Sequence, residues 1–119
     1  MIKHHLKSGH SDLEWFAMAI EEAKNDPVGL WAIVKEGRQG FGLDDRGLES
    51  FVKDYIVALI QSGAVPVVGD KTASFGWRPQ YQYGNDPKNV AEFLVSEWRK
   101  SQVDPDVNGV WFACPSVWS

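Results

Sequence analysis

Residues 46–77, RGLESFVKDYIVALIQSGAVPVVGDKTASFGW, hold the two patterns that decide the fold class. From Arg46 onward, apolar residues repeat at the three- and four-residue spacing of one helical face: Leu48, Phe51, Val52, Tyr55, Ile56, Leu59 and Ile60. Gly63 supplies a stop for this helix, Val65–Gly69 is typical of a strand, and a turn at 69–71 leads to a second strand near Thr72–Trp77. A long helix followed by a hairpin indicates an α+β protein.

On the N-terminal side, Ser11-Asp12-Leu13-Glu14 is a capping box and predicts a helix from Asp12 to about Lys24. Its core stripe is predicted from apolar spacing as Leu13, Phe16, Ala17 and Ile20. Further along, Leu30–Val34 is short, β-branched and aromatic, and Gly37 follows it, so it predicts a strand.

On the C-terminal side, Asp86-Pro87 predicts the start of a helix that ends near Ser101 and buries Val90, Phe93, Leu94 and Trp98. Gly109–Cys114 predicts a last strand, stopped by Pro115. After the first helix, the order is strand, helix, strand, strand, helix, strand. This order matches a two-layer α+β sandwich of ferredoxin-like βαββαβ type with an added N-terminal helix.

The length of 119 residues suits one domain, because a single core typically serves about 100–150 residues. Residues 1–10 contain all three histidines and no apolar periodicity, so they are expected to form a flexible arm. Residues 11–119 are expected to form the single α+β domain.

Charge and cysteine content exclude several classes of protein. The formal net charge of −4 disfavours broad binding to DNA or RNA, because it repels a phosphate backbone. The single Cys114 cannot form an intramolecular disulfide, and the N-terminus lacks the apolar segment of a secretory signal. No run approaches the ~18 apolar residues of a membrane span. A cytoplasmic protein without membrane contact is therefore expected.

Two loop motifs could in principle bind anions or metals. Gly37–Gly42 follows a predicted strand and precedes a helix, as phosphate-binding loops do, but its spacing is neither G-x-G-x-x-G nor that of a Walker loop. Asp44 and Asp45 would also repel an anion there. We interpret Gly37–Gly42 as a flexible connector and the acidic pair as helix-capping residues rather than as a metal or acid–base site.

Residues for catalysis or metal binding are few. His4, His5 and His10 lie on the predicted arm, whereas a zinc site needs about four ligands on ordered elements. The same placement argues against a Cys114–His nucleophile pair, and the chain has no G-x-S-x-G motif. We expect no metal and no cofactor. An enzyme that uses only carboxylates stays as the third functional alternative.

The unusual feature is the aromatic content, which includes six tryptophans. Trp31, Trp98 and Trp111 are assigned to the core. If extended structure continues past Pro79, one sheet face carries Phe75, Trp77, Tyr81 and Tyr83, with Arg78 nearby. Such aromatic residues suit a protein interface, or base stacking on a ferredoxin-like RNA-binding sheet, or simply the core under the helices.

The first helix adds a second apolar surface, because Trp15, Met18 and Ala19 lie outside its predicted core stripe. The predicted partner-binding residues are therefore Phe75, Trp77, Arg78, Tyr81, Tyr83, Trp15 and Met18. Together with the acidic charge, they favour a non-catalytic protein-binding domain: an inhibitor, immunity-type or adaptor protein with a basic partner. An RNA- or nucleotide-binding module is the alternative, and a homodimer would explain the same surface.

Overall fold

A computed structural model describes residues 3–118 of the chain; Met1 and Ile2 of the predicted arm, and Ser119, lie outside the described residues. Its helices are α1 (Asp12–Ala23), α2 (Leu30–Lys35), α3 (Asp45–Gln61), α4 (Pro87–Ser101) and α5 (Pro115–Trp118). Its strands are β1 (Val28–Gly29), β2 (Val65–Gly69), β3 (Trp77–Pro79) and β4 (Trp111–Ala113). A π-helical turn spans Glu36–Gly40, and a 3₁₀ turn spans Tyr81–Tyr83. No helix in residues 3–118 is both long enough and apolar enough to cross a membrane.

The predicted start signals of α1 and α4 are confirmed. The Ser11 hydroxyl accepts from the Glu14 amide at 3.1 Å, and the Glu14 carboxylate accepts from the Ser11 amide at 2.8 Å, so both halves of the capping box are formed. At α4, the Asp86 carboxylate accepts from the Asn89 amide at 2.9 Å. The α3 helix also forms as predicted, and its apolar stripe is buried from Leu48 to Leu59, with Ile60 half-buried at its end.

The four strands form one antiparallel sheet in the order β1-β4-β2-β3. The predicted hairpin is confirmed as the β2–β3 pair, in which Gly69 lies opposite Trp77. The chain is therefore an α+β domain. The ferredoxin-like order and the two-layer sandwich are not confirmed: β4 and β2 are the central strands of this sheet, whereas a ferredoxin-like sheet has its first and third strands at the centre.

Three predicted strands differ from the structure. Leu30–Val34 is not a strand but most of helix α2 (Leu30–Lys35). Leu30, Ile33 and Val34 are buried at helical spacing, and this packing outweighs the strand propensity of a β-branched, aromatic segment. The second hairpin strand begins only at Trp77, since residues 70–76 form a loop. The last strand is limited to Trp111–Ala113.

The main core lies between the helices and one face of the sheet. Phe51, Val52 and Ile56 of α3 are fully buried at its centre, and Val28 and Phe112, which pair across β1 and β4, supply the sheet side. The predicted stripe of α1 is partly wrong. Leu13 is 66% exposed and Ala17 is exposed, whereas Ala19 is buried beside Phe16. On α4, Phe93 is 49% exposed, but the rest of the predicted stripe is buried.

The described part of the predicted N-terminal arm contacts the domain. The His5 ring stacks on Trp15 with a centroid separation of 4.5 Å and meets the edge of Phe41 at 5.4 Å. The Leu6 amide donates to the Gly40 carbonyl at 2.7 Å. The structure therefore shows packing in a segment for which the sequence predicted flexibility; its mobility in solution stays a prediction.

Candidate functional site

The sheet face opposite the main core carries a row of tryptophans. Partners in adjacent strands share a face, so Trp111, which lies opposite Gly29 and Val67, points away from the neighbouring core residue Phe112. Trp77, opposite Gly69, lies on the same face, and Trp31 reaches it from the first turn of α2. All three rings are partly exposed. We call Trp31, Trp77 and Trp111 the tryptophan face.

Trp111 contacts each of the other two rings at a steep angle. Trp31 and Trp111 have centroids 6.4 Å apart at an interplanar angle of 68°, and Trp77 and Trp111 have centroids 5.4 Å apart at 57°. Gly29 allows this packing, because a Cβ there would lie 2.6 Å from the Trp31 ring and 3.2 Å from Trp111. The result is a ridged aromatic surface rather than a set of parallel plates.

This aromatic layer covers a second buried region. Val67 and Ala113, on the same sheet face, are fully buried. The Trp118 indole donates to the Ala113 carbonyl at 3.3 Å and thereby attaches α5 to β4. Val67 and Ala113 therefore lie on the face that carries the tryptophans, opposite the face that carries Phe112 of the main core.

Each ring of the tryptophan face has a different polar or charged environment. The Trp111 indole donates to the Val107 carbonyl at 2.9 Å. The buried Nε1 of Trp31 has no hydrogen-bond partner in the described structure. The Lys35 ammonium lies 5.8 Å from the Trp31 ring centroid, within the range of a cation–π contact. The face therefore combines apolar rings with one adjacent positive charge.

The predicted aromatic strip at residues 75–83 does not form a single face. Only Trp77 belongs to the tryptophan face. Phe75 is 58% exposed in the loop before β3, and Tyr81 and Tyr83 lie on a 3₁₀ turn, because extended structure ends at Pro79. Arg78 points away from Trp77, and its guanidinium lies 3.5 Å from the Asp70 carboxylate.

The two tyrosines instead contact other aromatic residues. Tyr81 meets Trp118 with centroids 6.5 Å apart, next to the tryptophan face. Tyr83 meets Phe93 of α4 at 5.4 Å and lines an apolar groove of about 410 Å³ together with Leu30 and Val110. The strip thus divides between two surfaces of the domain.

Trp15 and Met18 lie together on α1, as predicted. Both line a groove of about 300 Å³ between α1 and α3, with Ala19, Glu22 and Tyr55. Met18 is 45% exposed, whereas one face of the Trp15 ring is covered by His5.

The segment Gly37–Gly42, which the sequence predicted to be a flexible connector, packs against α3 at Gly37. A Cβ at Gly37 would lie 2.6 Å from Leu48, so the π-helical turn approaches α3 more closely than a larger residue allows. Arg38 donates twice to the Asp104 carboxylate, at 2.8 and 3.1 Å, and the Trp98 indole donates to the same carboxylate at 3.0 Å. The Arg38 guanidinium lowers the pKa of Asp104. These contacts give Arg38 a structural partner.

Other candidate groups do not assemble into a site within the described chain. Asp44 is the N-cap residue of α3, but its side chain makes no capping hydrogen bond there. Among residues 3–118, no group of three or more histidine, cysteine or acidic side chains could hold a metal ion.

Sequence reasoning assigned Trp31 and Trp111 to the core, whereas both rings are partly exposed on the tryptophan face. Both stand in continuous apolar runs, which predict burial on both sides of a strand. The available signal was Gly29 directly before Leu30, since a glycine in a short strand often marks a close approach by another group. Comparisons with protein-family models, with curated proteins and with solved structures gave no match to this chain.

Proposed function

We propose that this protein is a non-catalytic protein-binding domain that uses its tryptophan face to bind a partner with a basic surface. The observation that carries the proposal is the row of three partly exposed tryptophans on the sheet face that the main helices leave open. Tryptophan is enriched among the residues that dominate binding energy at protein interfaces. The acidic net charge of −4 supports a basic partner, because complementary charge speeds association and selects against like-charged proteins.

The ring geometry favours a protein over single-stranded RNA. Base stacking needs an aromatic ring whose flat surface is open to a base. Here, Trp31 meets Trp111 edge to face at 68° and Trp77 is tilted by 57° against Trp111, and the net charge opposes phosphate binding. A ridged surface suits complementary side chains of a folded partner. An inhibitor, immunity-type or adaptor role is the version of this proposal that we favour.

The test compares partner capture by three forms of the purified protein. Wild-type protein, Trp77→Ala and Leu13→Ala are immobilised and exposed to extract of the native cells, and bound material is identified by mass spectrometry. Leu13 is the matched control, because it is an exposed apolar residue on α1. We expect one basic protein in stoichiometric amount on the wild type and on Leu13→Ala, with at least tenfold less on Trp77→Ala.

Three results would contradict this function. Equal capture by all three forms would remove the tryptophan face from the interface. Bound material that nuclease digestion releases would favour the RNA-binding alternative. A dimer in light scattering that Trp77→Ala converts to a monomer would assign the face to self-association.

A further inference from the structure

The groove between α1 and α3 is a second surface with a distinct chemistry. Trp15, Met18, Ala19 and Glu22 follow one another along α1 at the spacing of a single helical stripe, and Tyr55 of α3 forms the opposite wall. The groove has a volume of about 300 Å³, at the lower end of the range for small ligand sites. It therefore accommodates one long side chain rather than an extended segment.

Tyr55 supplies a polar group to the wall of this groove. Its ring packs against Phe16 and Phe51, at centroid distances of 5.0 and 5.8 Å, and only 4% of the residue is exposed. Two residues that line the groove, Trp15 and Glu22, affect the pKa of the Tyr55 hydroxyl. Burial raises the pKa of Tyr55, and the Glu22 and Glu36 carboxylates raise it further. The hydroxyl therefore stays neutral and lies in a negative local field.

Glu22 is the second polar group of the groove, and it is available. The ion pairs of residues 3–118 do not include it, whereas its neighbour Glu21 is bound to Lys24 at 2.9 Å. None of the five residues that line the groove is positively charged. An anionic occupant would be repelled here, and a neutral apolar one would leave the carboxylate without a partner.

We infer that the groove between α1 and α3 receives a lysine or arginine side chain from a protein partner. The methylene stem packs on Met18 and Ala19, and the cationic head binds the Glu22 carboxylate beside the Tyr55 oxygen and the Trp15 ring. The assignment of the occupant to a protein rests on the proposed function. The cation preference rests only on the groove.

The experiment uses the indole N–H signals of the ¹⁵N-labelled protein as separate reporters. The Trp15 signal reports on the groove, and the Trp31, Trp77 and Trp111 signals report on the tryptophan face. The probe is the tripeptide Gly-Lys-Gly with an acetylated N-terminus and an amidated C-terminus, so that the lysine ammonium is its only charge; the control probe is the same blocked peptide with an acetylated lysine, which is neutral. We expect Gly-Lys-Gly to shift the Trp15 signal in a saturable manner and the acetylated peptide to bind at least fivefold more weakly.

Two variants separate the local charge from the overall charge. Glu22→Gln should weaken Gly-Lys-Gly binding by about fivefold, which is the upper end of an exposed ion pair. Glu21→Gln removes the same net charge from the same helix outside the groove, and it should change binding by less than twofold. Equal weakening by both variants, or equal binding of both peptides, would overturn the inference.

This experiment can fail independently of the proposed function. If Trp77→Ala abolishes partner capture but Gly-Lys-Gly does not shift the Trp15 signal, the tryptophan face is supported as the interface and the groove inference is wrong. If the peptide binds as expected but Trp77→Ala does not affect partner capture, the groove is supported as a cation site and the proposed interface on the tryptophan face is wrong.

Discussion

The domain has two aromatic clusters that differ in what covers them. In the main core, Phe16, Phe41, Phe51 and Tyr55 contact one another under α1 and α3, and each is at most 5% exposed. On the tryptophan face, the rings themselves form the outer layer over Val67 and Ala113. The same kind of residue therefore supplies folding stability in the first cluster and an accessible surface in the second. Both clusters consist of aromatic side chains, so the difference comes from their position relative to the sheet.

The largest expected effect contrasts one ring from each cluster. Phe51→Ala should reduce the free energy of unfolding by about 3–5 kcal/mol, since it leaves a cavity among rings that cannot close around it. Trp77→Ala should cost only about 1–2 kcal/mol, because its ring already faces solvent in part. Urea denaturation of both variants measures this. Equal losses would show that the tryptophan face is a second core rather than a surface.

A smaller effect tests how the tryptophan face is packed. Gly29→Ala should cost about 1–3 kcal/mol, because the new methyl group overlaps the Trp31 ring and crowds Trp111. Gly69→Ala is the matched control, since it lies in a strand on the same face with no other atom within 4 Å of its Cβ position. Thermal melting of both variants measures this difference in stability. Destabilisation by Gly69→Ala alone would contradict the ring positions described above.

The next comparison concerns the indole N–H groups. Trp98→Phe removes the donor to the Asp104 carboxylate, whereas Trp31→Phe removes a buried donor that has no partner in the described structure. We expect Trp98→Phe to be about 1–2 kcal/mol more destabilising than Trp31→Phe, because only the first breaks a hydrogen bond to a charged group. Chemical denaturation of the two variants side by side gives the difference. A larger loss for Trp31→Phe would indicate that its N–H is satisfied in solution.

The N-terminal segment tests where the main core ends. His5→Ala should reduce stability by about 1 kcal/mol, because it removes the stack on Trp15 and the acceptor for the amides of Lys7 and Ser8 at 3.2 Å. Amide exchange at Leu6, whose N–H is bonded to Gly40, should quicken as well. His4→Ala is the control, because the His4 side chain is exposed. If both variants behave like the wild type, the sequence-based prediction of a flexible arm is correct in solution.

The smallest expected effect is a pH dependence. The Arg38 guanidinium holds the pKa of Asp104 below its ordinary value, so the ionised carboxylate is favoured in the folded protein. Its contribution to stability is therefore present at neutral pH and is lost as the pH falls below about 4. Asp104→Asn should lower stability at pH 7, and its difference from the wild type should shrink as the pH falls below about 4. Asp54→Asn, at an exposed position on α3, is the control for the loss of one negative charge.

The strongest local signals in the sequence predicted most of the helical framework. The capping box at Ser11, the Asp86-Pro87 start and the apolar stripe of α3 act within one or two turns, so each is visible without knowledge of the rest of the chain. The β2 strand and the hairpin after it are equally local features, but the turn predicted at residues 69–71 is a loop over residues 70–76. These elements were sufficient to assign the α+β class.

The strand pairing, the helical conformation of Leu30–Val34 and the location of the tryptophan face depend on tertiary structure. Short apolar runs suit a helix and a strand equally well, and here burial of Leu30, Ile33 and Val34 against the core selected the helix. Pairing of β4 with both β1 and β2 joins residues far apart in sequence, for which no local pattern exists. It is this pairing that puts Trp111 beside Trp77 and Trp31. The residue types were set by the sequence alone, but whether a tryptophan lies in a core or on a surface depends on which elements finally cover it.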